Sequence, residues 1–264
     1  MLLLQNIHKT FNLGTVNEKK ALNGVELHLN AKDFVTVIGG NGAGKSTMLN
    51  MIAGVYPIDE GRIVLNGRDM TKQPEYVRAK YLSRVFQDPM MGTASNMQID
   101  ENLALAHRRG KKRGLSWGIT KEEHDLFREK LKILGLGLED RMTSKVGLLS
   151  GGQRQALTLL MATLIKPELL LLDEHTAALD PKTAANVLSV TETIIREEQL
   201  TAIMVTHNMK DAIRFGNRLI MMHEGRIIYD VAGEEKKRLD VNDLLDKFEQ
   251  ASHGEFANDR MMLG

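Results

Sequence analysis

The chain has 264 residues, with 35 lysines and arginines against 34 aspartates and glutamates, no cysteine, and a formal net charge of +1. Charged residues at 26% and hydrophobic ones at 42% are the proportions of an ordinary globular protein, which excludes disordered and fibrous classes. The missing cysteines exclude disulfides, thiolate metal sites, iron–sulfur ligation and a cysteine nucleophile, and the balanced charge offers no global field for nucleic acid.

Taken in chain order, the Leu2-Leu3-Leu4 run ends at Gln5 and is too short for the apolar core of a signal peptide. Val25 to Leu29 alternates apolar and polar residues, as Arg62 to Leu65 does more weakly, which predicts half-exposed antiparallel strands beside a main sheet. Phe34-Val35-Thr36-Val37-Ile38 reads as a buried strand stopping at a glycine cluster, with a helix from about Thr47 to Ala53 behind it. Between Pro89 and Ser150 no strand is predicted, only helical patterns around Asn102 to Ala106 and Leu126 to Leu134, so this block is expected to be a helical insertion. A helical stretch at Arg154 to Ile165 precedes a second buried strand, Leu169 to Leu172. Asp180 and Pro181 then open a helix as N-cap and first-turn residue. Thr201 to Val205 is a third buried strand, and a helix starts near Met209. Arg218 to His223 and Arg226 to Asp230 flank Glu224-Gly225, a hairpin turn. Ser252 to Gly264 is expected to be a mobile tail. Continuous apolar strands between helices predict an α/β fold with a mainly parallel sheet. No apolar run approaches the ~18 residues needed to span a bilayer, so any membrane role is expected to come through partners.

Gly39-Gly40-Asn41-Gly42-Ala43-Gly44-Lys45-Ser46 matches G-x-x-x-x-G-K-[ST] between a strand and a helix, the context of a phosphate-binding loop. Its glycines let backbone N–H groups face phosphate oxygens, and the helix N-terminus adds its dipole. Lys45 is expected to reach the β- and γ-phosphates and the Ser46 hydroxyl to ligate magnesium. Leu169 to Leu172 ends in Asp173-Glu174, at the carboxyl end of a strand where such sheets bind ligands. A capped buried strand also looks like this; beside a phosphate loop, Asp173 reads as a magnesium residue and Glu174 as a general base. Leu149-Ser150-Gly151-Gly152-Gln153 makes a second anion-facing helix start. One nucleotide does not need two cradles from one chain, so the second is expected to serve a nucleotide held by another copy.

Residues 149–153 are the unmodified signature of ATP-binding cassette ATPases, and over about residues 1–235 the chain resembles a transporter's nucleotide-binding subunit. The resemblance implies a P-loop NTPase core, an N-terminal antiparallel β subdomain, a helical subdomain inserted at about 89–152, and a short helix and tail at 236–264. It implies that Gly39, Asn41, Gly42, Ala43, Gly44, Lys45, Ser46 and Thr47 bind ATP, with Ser150, Gly151, Gly152 and Gln153 facing the nucleotide of the opposite copy. Gln87 matches the glutamine that touches magnesium and the attacking water and senses the membrane partner. His207 matches the histidine that bonds the γ-phosphate, Ala178-Leu179-Asp180 the loop that crosses to the other copy, and Phe11 the aromatic residue that stacks on adenine. The chain departs from the pattern at His175, where proline is usual, and at Ala177, where a small polar residue is usual. His175 is read as a local structural residue.

His107 to Arg113 concentrates basic side chains that suit lipid headgroups or RNA, or else form a solvated loop, which is the preferred reading. Met90, Met91 and Met97 follow Gln87, where the family receives a permease helix, and suit either a docking groove or core filling. Together these imply an ATP- and Mg²⁺-dependent ATPase, paired head to tail with a second copy on the cytoplasmic face of a bacterial membrane. Its partners would be a separate permease and, indirectly, a substrate-binding protein, with import, amino acids among the cargoes, and no nucleic acid. Two alternatives stand beside this. One is a soluble cassette ATPase of the iron–sulfur scaffold type. The other is a ribosome- or nucleic-acid-associated ATPase, although those join two cassettes or insert a coiled coil that is absent here.

Overall fold

The structure, a computed structural model, describes residues 1–111 and 118–251. Lys112 and Arg113 of the basic cluster and the tail Ser252 to Gly264 lie outside the described residues. The strands are β1 (Leu2–Phe11), β2 (Lys19–Leu29), β3 (Phe34–Ile38), β4 (Glu60–Leu65), β5 (Arg68–Asp69), β6 (Leu82–Val85), β7 (Leu169–Asp173), β8 (Ala202–Val205), β9 (Arg218–His223) and β10 (Arg226–Ala232). The helices are α1 (Lys45–Ala53), α2 (Glu75–Arg78), α3 (Ile99–His107), α4 (Lys121–Lys132), α5 (Gly151–Thr163), α6 (Pro181–Glu197), α7 (Met209–Arg214), α8 (Gly233–Lys237) and α9 (Val241–Ala251). The chain divides into two compact units, residues 1–78 with 201 onward, and residues 79–200.

In the first unit an antiparallel sheet runs in the order β2-β1-β4-β5. Residues 25–29 of β2 alternate buried and exposed, as their sequence predicts, because one face packs inward and the other meets water. Beside it β3 pairs in parallel with both β8 and β9, Val37 lying opposite Val205 and Ile220. Every residue of β3 and β8 is buried, which is why they read as unbroken apolar runs. β9 and β10 form the expected hairpin, and both turn residues are left-handed, Glu224 at φ 45° and Gly225 at φ 73°. That conformation follows the twist of the paired strands. Leu244 and Phe248 of α9 pack with Ile38, Met209, Leu219, Met221 and Val231, so the helix completes a core behind β3 and β9.

In the second unit β6 and β7 pair in parallel, with Val85 opposite Leu172. α3 and α4 occupy the stretch from Pro89 to Ser150 for which no strand is predicted, and α5 forms where the helical stretch at Arg154 to Ile165 is expected. α6 begins as expected: the Asp180 side chain accepts the Thr183 N–H at 3.1 Å and proline takes the first turn. Both sheets and the flanking helices make this an α/β P-loop fold.

Candidate functional site

In the first unit the glycine loop leaves the carboxyl end of β3 and runs into α1. Gly44 sits at φ 101°, and an added Cβ would lie 2.5 Å from the Ala21 carbonyl oxygen, so neither conformation nor space admits a side chain. α1 has no side-chain cap and no acidic residue in its first turn, so no side-chain anion of its own occupies the positive end of the helix. Lys45 is 7% exposed and curls over the loop, its Nζ donating to the carbonyls of Gly39 at 2.6 Å and Gly40 at 3.1 Å. Asn41 and Ser46 are exposed, whereas Ala43 is buried and Thr47 half-buried. The far end of α1 is anchored from elsewhere. No basic residue stands in its last turn; instead Arg78, 2% exposed, donates to Met51 O at 2.7 Å and Ile52 O at 2.9 Å.

His207 leaves the carboxyl end of β8, the parallel neighbour of β3, and is exposed there; the Thr206 N–H donates to Val37 O at 3.1 Å and holds the two strand ends level. Asn208 caps the helix that follows. Phe11 ends β1, with its ring edge-on to Tyr56 at 5.3 Å and Lys9 Nζ 5.6 Å from its centre.

In the second unit Asp173 ends β7, and its Oδ2 accepts from Arg84 of β6 at 2.6 Å, both side chains being 12% exposed. The Arg84 guanidinium also lies 4.8 Å from the Phe86 ring. Gln87, just beyond β6, is exposed, and the backbone before it is fixed by Gln155 Nε2 donating to Phe86 O at 3.0 Å. Glu174 is left-handed at φ 45° although it is not glycine, a conformation that persists only where the surroundings impose it. His175 is buried, its Nε2 3.1 Å from Thr191 Oγ1. Thr191 donates its own proton to Val187 O at 2.8 Å, so His175 Nε2 carries the hydrogen. Burial lowers its pKa from 6.5 to about 4, which keeps it neutral and fits the structural role read from the sequence.

Ser150 caps α5 in a reciprocal pair: its Oγ accepts the Gln153 N–H at 3.3 Å, and Gln153 Oε1 accepts the Ser150 N–H at 3.2 Å. An added Cβ on Gly152 would lie 2.0 Å from Thr183 Cγ2, so this glycine is demanded by α6. One on Gly151 would meet Leu179 Cδ2 at 3.4 Å, an ordinary contact. α5 likewise has no basic residue in its last turn; Arg109 instead donates to Ala162 O at 3.4 Å and to Ile165 O.

Sequence reasoning did not single out Arg84, Tyr56, Arg78 or the inward role of Arg109. Of the expected solvated loop at 107–113, Gly110 and Lys111 are exposed as that reading requires. Residues 107–109 are half-buried and turn inward, which corrects it for those three. Arg109 is tied to α5, Arg108 to Ala104 O at 2.9 Å and to Glu123 at 3.0 Å, and His107 packs on Phe127. Met90 and Met91 are 50% and 68% exposed, so they do not fill the core; nearby Leu148 is 73% exposed. Arg154 joins these segments, donating to Met90 Sδ and to Gly147 O at 3.1 Å.

The sequence pattern of the ABC transporter family matches residues 22–177, more than half of the chain. This chain belongs to the ABC transporter ATP-binding family. It is similar to a tyrosine transport ATP-binding protein of Clostridioides difficile (strain R20291), with 43% identity over 95% of this chain and 100% of the relative. A thiamine import ATP-binding protein of Salmonella choleraesuis (strain SC-B67) is 36% identical over 76% of this chain and 80% of its own length. Among solved structures, a bacterial ABC transporter cassette determined as a dimer has 30% identity and a TM-score of 0.75, covering 88% of this chain and 98% of that one. The same values hold for a dimeric post-hydrolysis state bound to ADP and phosphate. As an ABC ATPase the chain binds and hydrolyses ATP as the ATP-binding subunit of a transporter. No helix among the described residues is long and apolar enough to cross a membrane.

Proposed function

We propose that this ABC ATPase works as a head-to-tail pair with two ATP molecules between the copies, energising solute import through a separate permease. The observation that carries the pairing is the second anion-facing helix end. At α5 the Ser150 oxygen is used as a cap while its proton remains to donate outward. Gly151 has room for a side chain within its own chain, so its smallness is explained by something that approaches from outside.

In this reading the amides of residues 39–44 and Lys45 hold the phosphates, Thr47 supports them, and Phe11 stacks on adenine. Glu174 takes a proton from the attacking water, and His207 bonds the γ-phosphate as its charge develops. Ser46, Gln87 and Asp173 offer oxygen donors, and among the described residues no three His, Asp or Glu side chains gather into a metal cage. That donor set fits magnesium, which takes one or two protein oxygens beside substrate phosphates and when bound neutralises phosphate charge. Arg84 holds Asp173 in place at the strand end.

The exposed Met90, Met91 and Leu148 are the face offered to the permease, since flexible thioethers adapt to a partner helix. The thiamine-import relative supports import, and the tyrosine-transport relative supports an amino acid as cargo. A substrate-binding protein as the indirect partner and the cytoplasmic face of the membrane as the site of work complete the proposal. Glu174→Gln is expected to bind ATP, to accumulate ATP-dependent dimers on size-exclusion chromatography, and to lose about a hundredfold in hydrolysis. Near-normal turnover would overturn the role given to Glu174. Pull-down from detergent-solubilised membranes is expected to recover a multi-spanning permease; ribosomes or soluble scaffold proteins alone would reject transport.

A further inference from the structure

Lys19 opens β2 directly opposite Phe11 in the β1–β2 ladder. Opposed residues of an antiparallel pair send their side chains to the same face of the sheet. From that face the Lys19 side chain reaches the phosphate loop: a Cβ built on Gly42 would lie 3.1 Å from Lys19 Nζ and 4.0 Å from its Cε. The residue is exposed, and it is not among the described residues that hold a further ion pair or hydrogen bond. Its stem therefore spans from the aromatic end of β1 to the middle of the loop, with an ammonium that no carboxylate of the described chain neutralises.

We propose that Lys19 is a second cation of the nucleotide site, contacting the phosphate chain of ATP between Phe11 and Gly42. This rests on the reading of residues 39–46 as the phosphate loop. The loop itself meets polyphosphate charge with amide dipoles and one lysine, and Lys45 is held close to the loop carbonyls. A flexible, exposed lysine adds a point charge that swings with the nucleotide without being needed for the fold. At an exposed position such a contact changes affinity by about three- to tenfold.

The test is titration calorimetry of ATP, ADP and adenosine into wild type, Lys19→Ala, Lys19→Arg, Lys19→Glu and, as the control for the loop itself, Lys45→Ala. Lys19→Ala is expected to weaken ATP and ADP by about three- to tenfold, Lys19→Glu further, and Lys19→Arg hardly at all, with adenosine and the melting temperature unchanged. Unchanged ATP affinity in both Lys19→Ala and Lys19→Glu overturns the proposal, as does an equal loss for adenosine, which would make Lys19 a base contact. Retained ATP affinity in Lys45→Ala would instead overturn the phosphate-loop reading, so the two failures are distinguishable.

Discussion

Replacing Gly152 by alanine tests the packing of the signature helix against α6. The new methyl would stand 2.0 Å from Thr183 Cγ2, where carbon atoms in contact sit roughly 3.5–4 Å apart. Both residues lie in the first turns of helices, so relief requires a rotamer change at Thr183 or a shift of a helix end. Overpacking costs about 1–3 kcal/mol, and an approach as close as 2.0 Å belongs to the upper part of that range, about 2–3 kcal/mol. The gain in helix propensity from glycine to alanine returns about 1 kcal/mol. The net is a destabilisation of about 1–2 kcal/mol, or a fall in melting temperature of roughly 2–8 °C for a chain of this size. Thr183→Ser removes the clashing methyl and leaves Thr183 Cβ, at 3.5 Å, as the nearest atom. Scanning calorimetry of the two single variants and the double variant closes a mutant cycle. The double variant is expected to melt close to Thr183→Ser alone. If Gly152→Ala melts with the wild type, or if its loss persists undiminished in the Thr183→Ser background, steric packing against α6 is not why glycine stands there.

Gly151→Ala should behave in the opposite way. Its Cβ has room within the chain, so the melting temperature is expected to hold while ATP-dependent dimerisation and hydrolysis fall; a stable, fully active variant would refute the partner-facing reading. Arg109→Ala is expected to destabilise by about 1–3 kcal/mol through the unpaired carbonyls at the end of α5, and Lys111→Ala by much less. Equal melting with a selective loss of liposome or RNA binding would restore the surface reading of that cluster. Acid is expected to weaken the protein through His175 in magnesium-free buffer. Burial lowers its folded pKa from 6.5 to about 4, so the unfolded chain takes up the proton first, and stability present above pH 6.5 is lost as pH falls towards 4. Between about pH 7.5 and 5 this amounts to about 2 kcal/mol, absent from His175→Gln; parallel denaturation curves would refute it.

The parts of this fold that could be read from sequence are those decided by near neighbours. β3, β7 and β8 are continuous apolar runs because they are buried throughout, and the turn at Glu224-Gly225 shows itself between its two strands. β1 was not legible: Asn6 at φ 47° makes a bulge that breaks the alternation after Leu4, and Leu3 hides the pattern before it. β6 escaped because four residues containing Ser83 and Arg84 resemble no buried strand. In the site, the loops announced themselves through local spacing, whereas their supports did not. Arg84 lies 89 residues from Asp173 and meets it only through the register of β6 on β7. Lys19 is brought to Gly42 by strand pairing, for which one sequence holds no mark.

The arginines behind α1 and α5 have a consequence for engineering. In the proposed reading each helix would turn its positive end towards phosphate, and each leaves the opposite pole to a guanidinium carried by another part of the chain. A fragment cut from Gly39 to Gly54 would keep every letter of the loop and leave its counterweight behind at Arg78. Grafted into a foreign scaffold, the loop would therefore grip phosphate poorly unless the host supplied a cation at the helix's rear. The transplantable unit runs from Gly39 to Arg78.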